Sequence, residues 1–118
     1  MSETFFITDG AQDGFTVLSL TGRLGADAAT DLRETCMDRI EAGERTLVLD
    51  LRAVPFVASS GLGTFLYVNE MMKELGGRMV LAGVQPLVQE VLSLMNIDRF
   101  LNIVEDVDQV RRELTPAT

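Results

Sequence analysis

The chain has 118 residues, with 10 Lys and Arg against 18 Asp and Glu, so its formal charge is −8. Hydrophobic residues at 47% and charged residues at 24% suit one globular domain spanning 1–118, since a second core at this length would be too small to support itself. The absence of His excludes a Ser-His triad, a His general base and a His metal ligand; the lone Cys36 excludes an internal disulfide, and the acidic balance disfavours nucleic acid and anionic membrane.

Met1-Ser2-Glu3-Thr4-Phe5 lacks the basic region and apolar run of a signal peptide. The longest uncharged stretch, Ala53 to Asn69, is interrupted by Pro55, Ser59, Ser60, Gly61, Gly63 and Thr64 and is no membrane span. A soluble cytoplasmic protein is the expectation.

Phe5-Phe6-Ile7 reads as a short strand, followed by a turn cluster from Asp9-Gly10 through Asp13-Gly14. Phe15, Val17 and Leu18-Ser19-Leu20 suggest a second strand, paired to the first as a hairpin. Ala29, Leu32, Cys36 and Ile40 recur at steps of three, four and four, which predicts a helix over Ala28–Ala42 with Gly43 at its end. Thr46-Leu47-Val48-Leu49-Asp50-Leu51 is nearly all apolar, as a central strand covered on both faces would be. Ser59-Ser60-Gly61 opens a helix bearing Leu62, Phe65, Leu66, Val68, Met72 and Leu75, closed by Gly76-Gly77.

Met79–Ala82 is the next strand. Pro86 suits the first turn of a third helix, with Leu87, Val88, Val91, Leu92 and Met95, stopping at Asn96. A short strand around Leu101–Val104 follows, and Asp106 is placed to cap a last helix carrying Val107, Val110 and Leu114, halted by Pro116. This order predicts an α/β fold: a single mixed β-sheet with an N-terminal hairpin, parallel crossovers, and about four helices packed against it.

Catalytic signatures fail one by one. Val57 and Ala58 stand where G-x-S-x-G would need glycine before Ser59 or Ser60, Leu66 replaces the third glycine of a dinucleotide loop, and no phosphate-binding G-x-x-x-x-G-K-[ST] occurs. Asp27, Asp31, Glu34, Asp38 and Glu41 fit a solvated helix face. Asp50 at the end of a buried strand suggests a phospho-accepting aspartate, but that chemistry wants further acidic residues after the first strand and a well-placed Lys. The only Lys is Lys73 on the helix, so a local structural role is the expectation. No enzyme, metal or cofactor is expected.

The segment Val57-Ala58-Ser59-Ser60-Gly61-Leu62-Gly63 is a small-residue turn between strand and helix. One reading is structural: Ser59 or Ser60 caps the helix, and Gly61 and Gly63 permit close packing. The other is a switch. A Ser at a helix start lies in the positive end of the helix field, where a phosphoryl group is tolerated, and its charge and bulk would displace a partner docked over Gly61 and Gly63.

The run Leu47–Gly63, L-V-L-D-L-R-A-V-P-F-V-A-S-S-G-L-G, resembles the central signature of STAS domains, specifically the bacterial anti-sigma factor antagonists. Leu20-Thr21-Gly22-Arg23-Leu24 with Asp31-Leu32-Arg33, and Asn96-Ile97-Asp98-Arg99-Phe100, resemble further parts of that family. The resemblance implies a STAS fold and a regulatory protein that binds an anti-sigma factor serine kinase and so releases a sigma factor. It also implies phosphorylation of Ser59 by that kinase, with Ser60 the less favoured acceptor, and reversal by a PP2C-type serine phosphatase. The implied partner surface comprises Arg23, Gly25, Ala58, Ser59, Ser60, Gly61, Gly63 and Tyr67. Two positions depart from the family: Ala58 stands where an acid usually precedes the acceptor, and Gly25 where Asp is frequent. Ala58 favours an alternative, a constitutive STAS scaffold such as an accessory subunit of a lipid-transport ATPase. The net charge points to a monomer when free.

Overall fold

The structure is a computed structural model that describes residues 5–12 and 14–114. Its strands are β1 (Phe6–Gln12), β2 (Phe15–Thr21), β3 (Thr46–Ala53), β4 (Arg78–Ala82) and β5 (Asn102–Val104). Its helices are α1 (Ala26–Glu41), α2 (Ser59–Glu74), α3 (Pro86–Leu94) and α4 (Val107–Leu114), with a 3-10 turn at Asp98–Phe100. Asp13 in the expected turn, Pro116 at the expected end of the last helix, and Met1–Thr4 of the N-terminus lie outside the described residues.

The five strands form one sheet in the order β1-β2-β3-β4-β5. β1 is antiparallel to β2, and every later pairing is parallel. The mixed sheet with its leading hairpin is as the alternation of elements predicts. One boundary differs. Asp9 and Gly10 belong to the ladder rather than to a turn, with Asp9 opposite Leu18 and Gly10 opposite Val17. An edge strand needs only backbone hydrogen bonds to one neighbour, so polar and small residues extend it without a buried pattern.

β3 sits in the middle, and its alternation separates two cores. Leu47, Leu49 and Leu51 join Leu18, Leu20, Met79 and Leu81 on a front face covered by the inward residues of α1, α2 and α3. Val48, Val80, Ala82, Val17 and Phe15 form a smaller cluster on the back, closed by Val110 of α4. Cys36 belongs to the front core, and burial pushes its thiol up to about 12, far from a reactive thiolate. The α1 positions read from periodicity, Ala29, Leu32, Cys36 and Ile40, are all buried, while Asp27, Asp31, Glu34, Asp38 and Glu41 are exposed.

Local signals end the helices where they were expected. Gly43 and Gly76, with φ of 95° and 77°, follow α1 and α2, and Asn96 takes the left-handed conformation beyond α3. Asp106 caps α4, its carboxylate accepting from the Gln109 N–H at 2.9 Å. Among the described residues, no helix is long and apolar enough to cross a membrane.

Candidate functional site

Because β2, β3 and β4 run parallel, the loops that leave their carboxyl ends gather along one edge of the sheet. The loop after β2 carries Arg23 and Gly25; the loop after β3 carries Phe56 to Ala58. Main-chain bonds knit the two together. Gly22 N–H donates to the Ala53 carbonyl, Leu24 N–H to Phe56, and Ala58 N–H back to Leu24, each at 2.9 Å. Leu24 and Val57 thereby form an isolated parallel bridge beyond the end of the sheet. Over it, the Arg23 guanidinium stacks on the Phe56 ring, 4.1 Å from its centroid.

α2 starts on this platform. Its N-cap is Ala58, in extended geometry, and no side chain caps the helix. The expectation that Ser59 or Ser60 serves as cap is therefore corrected. Both lie one and two residues inside the helix, where side-chain geometry no longer reaches back to the free N–H groups in the way an N-cap side chain does. Ser59 and Ser60 are instead exposed at the positive end of the helix, whose first turn carries no acidic residue.

The two glycines of the turn differ. Gly61 is buried, and a Cβ placed there would meet Val57 Cγ1 at 2.8 Å and Leu24 Cγ at 2.9 Å. Absence of a side chain at Gly61 is what lets α2 rest on the Leu24–Val57 bridge. Gly63 is exposed, and a Cβ there would have nothing within 4 Å. No internal packing demands glycine at position 63.

Ser59, Gly63, Tyr67, Glu70 and Glu74 form an exposed stripe along α2 at steps of three and four. Tyr67, 40% exposed, lies about 12 Å along the axis from Ser59 and is covered on one side by Arg33 of α1, 4.4 Å from its ring centroid. The structure thus brings Arg23, Gly25, Ala58, Ser59, Ser60 and Gly61 onto one platform, with Gly63 and Tyr67 continuing from it. Sequence reasoning missed Phe56 and Arg33. Each stacks with a residue of another element, and the only local hint was an aromatic directly after Pro55 in a turn.

A second hollow lies on the back face, with a volume of about 260 Å3, between the β3 pair Asp50 and Arg52 and the α4 pair Asp108 and Arg111. Asp50, whose side chain is buried, is gripped by Arg52: Nη2 lies 2.9 Å from Oδ2, and Nε donates to both carboxylate oxygens at 3.1 Å. The hydrogen bond to Asp50, reinforced by its charge, raises the pKa of Arg52. Asp108 pairs with Arg111. These contacts give Asp50 the structural role expected of it. Among the described residues, no group of three His, Cys, Asp or Glu side chains is arranged to hold a metal ion.

Comparison with known proteins agrees with this architecture. Residues 7–110 match the STAS domain family. The BtrV protein of Bordetella bronchiseptica, which carries the name anti-sigma factor antagonist, is 32% identical over 91 residues, covering 77% of this chain and 76% of its own. A crystal structure from Thermotoga maritima, also named as an anti-sigma factor antagonist, superposes with a TM-score of 0.85 at 23% identity, over 91% of this chain and 92% of that one. The anti-sigma factor antagonist SpoIIAA in its unphosphorylated form superposes with a TM-score of 0.70 at 21% identity, over 92% and 99%. At these identities the solved structures speak for the fold. With the family match spanning nearly the whole chain and the Bordetella relative beside it, this chain belongs to the STAS domain family, among the proteins named anti-sigma factor antagonists.

Proposed function

We propose that this chain is an anti-sigma factor antagonist that docks on an anti-sigma factor serine kinase through the start of α2, is displaced when that kinase phosphorylates Ser59, and is restored by a PP2C-type phosphatase. The observation that carries the reading is Ser59 itself, an exposed hydroxyl in the first turn of α2 that has no capping task. Gly63, smooth where its own fold asks for nothing, lies on the same stripe. The likeness to SpoIIAA, a protein solved in both an unphosphorylated and a phosphorylated form, supports the reading. The platform beneath is held by backbone bonds and takes no part in the modification, so the phosphate acts by occupying the docking surface. Positive helix potential steadies it there, and its negative charge and volume repel the partner.

Incubation with the purified kinase and ATP, followed by intact-mass measurement, tests the assignment. One phosphoryl group is expected on the wild type and none on Ser59→Ala. A group that persists in Ser59→Ala moves the acceptor to another residue, and no gain on the wild type removes the switch. Ala58 favours a second reading, an unswitched scaffold. Recovery of a transporter ATPase and no kinase in a pull-down would select it.

A further inference from the structure

The loop after β4 opens on the same edge as the loop after β3, and Gln85 at the start of α3 is tied to the end of β3, donating its side-chain N–H to the Arg52 carbonyl at 2.8 Å. Between the β3–α2 loop and α3 lies an apolar groove of about 160 Å3, lined by Pro55, Phe56, Val57, Leu87, Val88 and Val91. Val88 and Leu92 turn into the core. Leu87, Val91, Leu94 and Met95 do not: they are 71%, 38%, 75% and 56% exposed. At about 100° per residue these four share one arc of the helix, adjoining the buried arc. The helix from Pro86 to Leu94 carries a single charged residue, Glu90. An apolar stripe of this kind on an acidic protein marks a contact surface.

We infer that the groove is the second half of the docking surface: an apolar side chain of the anti-sigma factor seats between Phe56 and Leu87 while the rest of the partner covers Ser59 and Gly63. This rests on the function proposed above. Continuity favours that occupant, since Phe56 and Val57 wall the groove and the chain passes directly from them into Ala58 and Ser59. Size favours it too. A nine-residue helix is about 14 Å long, and its exposed stripe falls short of the roughly 800 Å2 per partner that a stable complex buries. A second copy seated on the stripe alone would lack area, whereas a partner spanning the stripe and the start of α2 has it. Charge opposes self-association as well, because each copy carries −8. The groove itself is comparable to an apolar cavity of about 150 Å3 that accommodates a benzene ring, so it has room for one large apolar side chain.

The test is calorimetric titration of the purified kinase-type anti-sigma factor of the same genome with wild type, Leu87→Glu, Leu87→Met and Ser59→Glu, with solution mass measured in parallel. Leu87 lies outside the core, so Leu87→Glu is expected to keep its melting midpoint and lose at least tenfold in affinity, while Leu87→Met retains it. Wild-type affinity in Leu87→Glu, with Ser59→Glu weakened, overturns the groove and leaves the docking at Ser59 standing. A dimer mass in the wild type that Leu87→Glu abolishes without changing affinity for the anti-sigma factor overturns it in favour of a second copy. Absence of binding by the wild type sinks the proposed function and this inference together.

Discussion

Gly61 and Gly63 stand two positions apart in α2 and answer opposite demands. Methyl substitution at Gly61 drives into Val57 and Leu24, which belong to the bridge that α2 rests on. Gly61→Ala is expected to cost about 1–3 kcal/mol, the usual range for overpacking. Gly63→Ala meets open space in a helix interior and is expected to stabilise by about 0.5–1 kcal/mol, while weakening partner binding. Urea denaturation of the two variants, read beside binding, separates a packing glycine from a contact glycine; a destabilised Gly63→Ala would count against the distinction. Sequence alone grouped both as small residues of one turn. What divides them is the bridge beneath Gly61, built from Val57 and from Leu24 of the loop after β2, nearly forty residues earlier in the chain, and no local pattern records that pairing. Ser59, by contrast, was legible, because a hydroxyl at a strand-to-helix junction is a local feature. Its supposed duty as cap was misplaced by one residue, a shift that a helix boundary read from periodicity cannot resolve.

At the scale of elements, α2 opens on Ala58, a residue that, like Gly25 before α1, offers the helix N-terminus no side-chain acceptor. The acid that the family commonly places at this position would be an N-cap. Ala58→Asp is therefore expected to raise stability by about 1 kcal/mol, measurable as a higher denaturation midpoint. The same carboxylate would then stand beside any phosphate on Ser59, so phosphorylation should stabilise the wild type more than it stabilises Ala58→Asp. Equal gains in the two backgrounds would show that the carboxylate at position 58 and the phosphate do not interact. The other helices followed their signals: Pro86 opens α3 and Asp106 caps α4. Apolar spacing did not reveal how α3 is covered. Leu87, Val91 and Met95 fit a helical pattern as well as Val88 and Leu92 do, yet only the latter two reach the core. Periodicity locates an apolar arc; the width of that arc buried depends on what packs against it.

At the scale of the molecule, the two faces of the sheet are unequally protected among the described residues, by three helices in front and α4 alone behind. α4 is fastened by Val110 in the back core and by Arg78 Nη2 to Glu113 Oε1 at 3.1 Å. The hydrogen bond from Arg78, aided by one from Gln109, lowers the Glu113 pKa below its ordinary 4.5. A lowered carboxyl contributes fully above the ordinary value and loses its contribution as pH falls through the folded one. Amide protection in α4 is accordingly expected to be flat above pH 4.5 and to decline on further acidification, with Glu113→Gln removing that component. Protection that declines already near neutrality would assign the fastening to other groups. The mixed sheet with its leading hairpin and parallel crossovers was legible from the alternation of elements, whereas the convergence of Arg23, Phe56 and Leu87 on one rim was not, being a product of parallel pairing rather than of any segment.

The rim's shape is set by the main-chain bonds among Gly22, Leu24, Ala53, Phe56 and Ala58, which involve no side-chain chemistry. Outward-facing residues above it can be exchanged without disturbing the frame that presents them. On the docking surface proposed above, such a scaffold separates recognition from architecture: exchanges at Arg23, Tyr67 or Leu87, grafted as a panel from a homologue, are expected to redirect binding with little loss of folding.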